Sequence, residues 1–478
     1  MAPPPHPLRY LDFYRCDDGR LGVAWAHTGD SYMEAVTPGE IGSINLLPID
    51  EYLDDHFGKP PTYSTDPKVK SYSRRIDHDR DAFFDGLGFV RPEQAPWILP
   101  SEPSKPLKEW EASTETGSLL HELTRYFNTF VRFPSGVFAE TCAVWTLASA
   151  IPERVTYAPP LAYVGPPRSG KSRAVRALRL VCRRGMNLGA PSPASLYALA
   201  DSLAPTICVD EWTALAMDIR HALETIIRLA FEKGNKISRR KERSQGIAFY
   251  DPFCFLGLAS REPLPDDVVD RSIEAIMSEA HDVPNLALDN AQAAEMRTAV
   301  LRYRLEVLAG QCHRPLVSNT ESLVRAELAT REGKALSDRG LNKAQTLAQV
   351  AASFDAVSEV VDSILQSEIA GKERFAETHE AWIYAAVKRL YPTAVTLDGV
   401  PSISLRDLHD EIWRDLQDGM GYTARMLENH DPVLPERLGP QVRQMGIRTD
   451  RATSGMRIHD PELKTKLEAL AWKYERPL

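Results

Sequence analysis

Hydrophobic and polar positions change period several times along the chain, and the changes divide it. Near the start, "YLDFYRC" and "LGVAWAH" alternate around "DDGR", which predicts two strands joined by a hairpin-like turn. The stretch 92–117 has no period and is rich in proline, serine, glutamate and lysine, so it reads as a linker. From Ser118 onward, "SLLHELTRYFNTFV" and "GVFAETCAVWTLASAI" repeat apolar residues at three- and four-residue spacing and predict helices. "LAYVG" is a short apolar strand, "KSRAVRALRLVCRR" the helix that leaves it, and "TICVDEW" and "PFCFLGLAS" are two further buried strands. Fully apolar strands alternating with helices predict an α/β fold around a parallel sheet. Helical spacing then fills residues 283–395, and 396–478 read as two helices and a short β wing, "GIRTDRATSGMRIHD". The expected division is a small α+β N-terminal domain (1–91), the linker, a helical lead-in and α/β core (118–282), a helical lid or bundle (283–395) and a C-terminal module (396–478).

Composition narrows the classes without choosing one. A chain of 478 residues exceeds a single core. At 43% hydrophobic and 26% charged it is an ordinary soluble composition. Net charge is −9, so any contact with nucleic acid must come from a local basic patch. Six scattered cysteines with no C-x-x-C pair argue against structural zinc and a disulfide framework. No N-terminal signal core is visible, and no apolar run approaches the ~20 residues of a membrane span, so the expectation is a cytoplasmic protein with no membrane partner.

The candidate chemistry begins where "LAYV" ends. Gly165, Pro166, Pro167, Arg168, Ser169, Gly170, Lys171 and Ser172 have the spacing G-x-x-x-x-G-K-S, between an apolar strand and a helix that Arg173 continues. Glycines let backbone N–H groups approach phosphate oxygens, and the helix N-terminus favours the anion. Lys171 would reach the β- and γ-phosphates of ATP, and Ser172 would bind Mg²⁺. About 40 residues on, "ICVDE" ends a strand with Asp210, a second Mg²⁺ contact, and Glu211, which can polarise the attacking water. An acid pair is typical of triphosphate hydrolysis rather than small-molecule kinase chemistry.

Between that strand and the next, Lys233, Lys236, Arg239, Arg240, Lys241 and Arg243 crowd into eleven positions, with Gly234-Asn235 and Gly246 as turn residues. Such a run can be a solvated turn; in an acidic protein it also fits a sequence-independent grip on phosphates. Ser260 tips the third strand, where a hydroxyl could sense the γ-phosphate. Arg271 lies just beyond, either as a finger toward a neighbouring subunit's nucleotide or as a surface ion pair with Asp267 or Asp270.

Taken in order, "FVRFPSGVFAETCAVWTLASA", "APPLAYVGPPRSGKS", "LAPTICVDEW", "KGNKISRRKE", "FCFLGLASREPLPDDVVDRSIEAIM" and "LSDRGLNKAQTLAQVAASF" resemble the helicase-type ATPase domain of phage and plasmid replication proteins. The resemblance covers about half of the chain. It implies an AAA+-like P-loop ATPase fold, related to superfamily-three and minichromosome-maintenance helicases, that assembles as a hexameric ring around single-stranded or forked DNA. It places Lys171 and Ser172 in Walker A, Asp210 and Glu211 in Walker B, and Lys236, Arg239 and Arg240 on a pore hairpin. Ser260 falls on sensor one, Arg271 on the finger and Arg339, in "SDRGLNK", where a lid arginine would touch the nucleotide. Two features depart from the family: sensor one is more often Asn or Asp, and residues 1–110 carry no primase signature. In the C-terminal module, "SLRDLHDEIWRDL", "LPERLGPQVRQMGI" and "RTDRATSGMR" resemble a winged helix with Arg443, Arg448 and Arg451 toward phosphates. The expected function is that of an ATP-dependent DNA helicase or translocase of a mobile genetic element. The alternative is an AAA+-like regulatory or defence switch that does not unwind; stimulation of hydrolysis by DNA separates the two.

Overall fold

The computed structural model describes residues 9–27, 42–59, 66–87, 92–112, 118–188, 191–240, 246–278, 291–331, 334–376, 379–420, 435–452 and 455–474. The chain forms two compact units, Met1–Ser367 and Glu368–Leu478. The N-terminal residues, the α/β core and most of the helical region therefore belong to one unit, and the second begins earlier than the pattern suggested.

The first unit opens with an antiparallel sheet of β1 (Asp12–Arg15), β2 (Leu21–His27) and β3 (Ser43–Pro48), in that order. The "DDGR" turn closes with the Cys16 amide donating to the Arg20 carbonyl at 2.9 Å. Helices Ile49–Phe57 and Pro67–Leu87 follow. The predicted linker is corrected over its described part. Trp97 and Leu107 are buried, the Pro100 carbonyl accepts from the Arg15 amide at 2.9 Å, and the Leu107 amide donates to the Glu306 carboxylate at 2.7 Å. The stretch also holds a 3-10 turn, Pro92–Gln94, and a short helix, Leu107–Ala112, and its apolar residues pack.

The core strands are β4 (Leu161–Val164), β5 (Gly185–Asn187) and β6 (Thr206–Val209), then an antiparallel hairpin of β7 (Ile237–Arg240) and β8 (Ile247–Tyr250), then β9 (Phe255–Ser260) and β10 (Ile273–Ile276). Five of them make an all-parallel sheet in the order β10-β4-β9-β6-β5. β9 thus lies between β4 and β6, with Val164 opposite Ser260 and Val209 opposite Leu258. β4, β6 and β9 are buried along their whole length, which is why they read as continuous apolar runs. Ser118 caps the helix Leu119–Phe130 by accepting from the His121 amide. The helix Val137–Ala150 is buried on nearly every side, and its Trp145 indole donates to the Pro159 carbonyl at 2.7 Å. The predicted helical region supplies Ala291–Leu308, Thr320–Ala329, Asp338–Ala351 and Val357–Ala376.

A buried ion cluster fastens β1 to the core. Asp12 accepts from Arg183 Nε at 2.7 Å and from Arg304 Nε, while Arg304 also forms a fork onto Glu153 at 2.6 and 2.8 Å. Burial alone would raise both acids. Arg183, Arg304 and Arg184 outweigh it at Asp12 and hold that carboxyl well below the usual range; Arg304 does the same for Glu153, to about 2. The Arg184 guanidinium lies over the rings of Phe13 and Trp97.

In the second unit, β11 (Val395–Leu397), β12 (Val400–Ser404), β13 (Thr449–Ala452) and β14 (Gly455–His459) form an antiparallel sheet in the order β11-β12-β14-β13. Its helices are His379–Leu390, Leu405–Met420, Pro435–Gln444 and Leu463–Tyr474. No helix among the described residues is long and apolar enough to cross a membrane.

Candidate functional site

Because β4, β6 and β9 are parallel neighbours, whatever follows their carboxyl ends is brought to one edge of the sheet, where open α/β sheets place their ligands. Residues 165–172 follow β4, Asp210 and Glu211 follow β6, and Arg261 follows β9. The loop is tied down at its start: the Gly165 amide donates to the Ser260 carbonyl at 3.2 Å. A Cβ at Gly165 would lie 2.1 Å from the Met277 carbonyl oxygen, so only glycine fits. Gly170 has φ +86°, the left-handed region, and precedes the helix Lys171–Val181. Arg168 also has positive φ, at 66°, a costly conformation for a residue with a side chain. Pro166 and Pro167 carry no N–H, so the donors the loop can offer an anion are those from Arg168 onward, including the orphan amides of the helix's first turn.

Lys171 is buried at 6% exposure, and its ammonium donates back to the Pro166 carbonyl at 2.6 Å and reaches the Ser169 hydroxyl at 3.3 Å. Burial pushes its pKa down, Glu211 pulls it up and Arg261 adds to the depression. Ser172 is exposed. Arg173 turns away from the loop: it donates to the Phe130 carbonyl at 2.7 Å and lies over the Phe130 ring. Asp210 Oδ2 accepts from Arg176 at 3.0 and 3.2 Å, whereas its Oδ1 is buried with no hydrogen-bond partner. That open carboxylate oxygen is of the type a divalent cation takes as a ligand. Glu211 accepts from the Thr213 hydroxyl at 2.7 Å and the Arg261 amide at 3.3 Å, and its Oε2 lies 3.0 Å from Arg261 Nε.

The structure brings together the loop, Lys171, Asp210 and Glu211. The other predicted residues are engaged elsewhere. Ser260 is wholly buried and donates to the Glu262 carbonyl at 2.7 Å. Arg271 is nearly buried and bonded to Asp267, through the backbone oxygen at 2.7 Å and the carboxylate at 3.5 Å. Arg339 pairs with Asp270. Two residues were missed: Arg261 and Arg176, which hold the two acids. Both sit where a charged side chain looks like ordinary surface.

The basic run is less uniform than its sequence. Lys233 precedes the hairpin, donates to the Pro152 and Glu153 carbonyls at 3.1 and 2.8 Å, and lies over the Phe253 ring. Desolvation lowers its pKa, although the residue as a whole remains exposed; its two carbonyl contacts hold it against the residues 152–153 turn. Lys236 pairs with Asp251 at 3.2 Å. Arg239 donates to the Tyr197 hydroxyl at 2.9 Å and stacks over that ring. Arg240 is exposed; Lys241 and Arg243 lie outside the described residues. Cross-strand pairing puts Ser238, Arg240, Ile247 and Phe249 on one face, and Ile247 and Phe249 are 59% and 65% exposed. No charge count could have found those two apolar residues beside a cation.

Away from this edge, Glu306, Cys312 and His313 each bring a ligand atom within 4.8 Å of the others. Glu306 already holds Arg302 and the Leu107 amide, and His313 holds Glu111, so these contacts knit the fold. In the second unit Arg443, Arg448 and Arg451 are all exposed. No protein-family model matches the chain, and no curated protein matches it either.

Proposed function

We propose that the chain is an ATP-driven motor on nucleic acid, of the helicase or translocase type. The observation that carries the reading is the meeting, at one sheet edge, of a glycine-shaped loop with a buried lysine and an Asp-Glu pair on a strand two places away. The strand inserted between them is what an additional-strand, AAA+-like P-loop ATPase requires. The loop amides and Lys171 would hold the triphosphate. Ser172 and Asp210 would hold Mg²⁺, which supplies charge neutralisation at the phosphate oxygens. Glu211 would orient a water and take its proton. Reach from Arg271 to a neighbour in a hexamer would require its release from Asp267.

The nucleic-acid half of the reading is supported by the β7–β8 hairpin and by the second unit. Among its described residues a helix, a strand pair, two helices and a hairpin come in an order that fits a winged helix, with Arg443 on the second of those two helices and Arg451 on the hairpin. The contacts are to backbone phosphates, so movement needs no sequence recognition.

The decisive experiment measures ATP hydrolysis with and without forked DNA, together with strand separation. Stimulated hydrolysis with unwinding supports the motor. Nucleotide-dependent assembly with neither would favour the regulatory or defence switch. Replacing Arg239 and Arg240 together with alanine should lower DNA-stimulated turnover and spare the basal rate. It should also flatten the dependence of DNA affinity on salt by roughly one to two contacts. Undiminished stimulation would exclude the hairpin.

A further inference from the structure

The expected γ-phosphate sensor is Ser260, yet its hydroxyl is buried and already given to the Glu262 carbonyl. The residue that enters the site is the next one. Arg261 leaves β9 beside the start of the phosphate loop, because Val164 and Ser260 are paired across β4 and β9. Its side chain is 63% exposed, and it grips Glu211 through Nε at 3.0 Å and through its own amide at 3.3 Å. The guanidinium is also near enough to Lys171 to act on it electrostatically.

We propose that Arg261 distinguishes a nucleoside triphosphate from a diphosphate, and that Glu211 holds it in reserve until a γ-phosphate arrives. This rests on the nucleotide reading above. A guanidinium fork suits a carboxylate or a phosphate equally well in shape, but it cannot serve both at once. A γ-phosphate, present only in the triphosphate, carries more charge than one carboxylate and draws the fork away. Glu211, released, is then free to accept a proton from water. With a diphosphate, Arg261 stays on Glu211 and the base remains occupied. The arrangement therefore couples the presence of the bond to be broken to the freeing of the group that helps break it.

The test is nucleotide affinity, measured calorimetrically with Mg²⁺, ADP and a non-hydrolysable ATP analogue. Arg261→Ala should weaken the analogue about tenfold and change ADP by less than about twofold. Arg261→Lys, which keeps a point charge without the fork, should fall between. Glu211→Ala should tighten the analogue, and by less in the Arg261→Ala background, since no arginine remains to be released. Simple repulsion between Glu211 and phosphate predicts the opposite, a larger gain once Arg261 is gone. Equal weakening of both nucleotides, or that larger gain, would overturn the proposal while leaving nucleotide binding intact. A wild-type protein that binds neither nucleotide would remove the nucleotide reading and this inference with it.

Discussion

Lys171→Ala should reduce ATP turnover at least about a hundredfold, the scale at which removal of one fixed donor to developing charge acts. The size follows from placement. Lys171 is the first residue of the helix, is almost fully buried, and points back onto the preceding loop, where its ammonium now rests on the Pro166 carbonyl and the Ser169 hydroxyl. Those partners are neutral, so exchanging them for phosphate oxygens gains a charge-assisted contact. Its lowered pKa records the cost of keeping the ammonium out of water, a cost that an anion would offset. Hydrolysis would be followed by phosphate release, and a thermal melt of the variant would establish that the loop still folds. Hydrolysis retained in a folded variant would show that these eight residues are not the active site.

The second large effect is on stability. Asp12→Asn should destabilise the first unit by about 3–5 kcal/mol, the usual consequence of removing one partner from a buried ion pair. Asp12 is 3% exposed and faces Arg183 and Arg304, both buried. Neutralising it leaves three buried guanidinium groups, those of Arg183, Arg184 and Arg304, with Glu153 as the remaining acid bonded to Arg304. The pH dependence follows. The folded pKa values of Asp12 and Glu153 lie below those of the unfolded chain. Their contribution is therefore complete above an unfolded value near 4 and is lost as pH falls through about 2 and below. Urea midpoints measured from pH 7 to pH 2 should fall most steeply below pH 4, and Asp12→Asn should flatten that descent. A variant with a wild-type midpoint at pH 7 would show that the cluster adds nothing.

Which of these features could be read in advance depended on the reach of the interactions involved. The three apolar strands and the two tight motifs are local: burial on both faces writes itself as an unbroken hydrophobic run, and a phosphate loop needs glycines at fixed spacing. The strands β5 and β10 were not visible, because one has three residues and the other carries Glu274, which is buried. Arg183 and Arg184 look like the solvated end of a helix. The helix stops at Val181, and both arginines turn inward to Asp12 and to carbonyls of the N-terminal segment. Nothing near them in sequence announces that partner. Ser260 and Arg261 illustrate the same limit at single-residue scale. A strand tip can be located from its pattern, but which of two adjacent side chains reaches Glu211 depends on how the strand ends.

The bond between Asp12 and Arg304 spans 292 positions. A ribosome adding about 5–20 residues per second needs roughly 15–60 s to make that much chain. Arg183, 171 positions after Asp12, is made partway through that interval, but the Arg304 that completes the cluster comes only at its end. The amino-terminal sheet therefore joins the rest of the unit late, and the half-made chain is a natural client for chaperones.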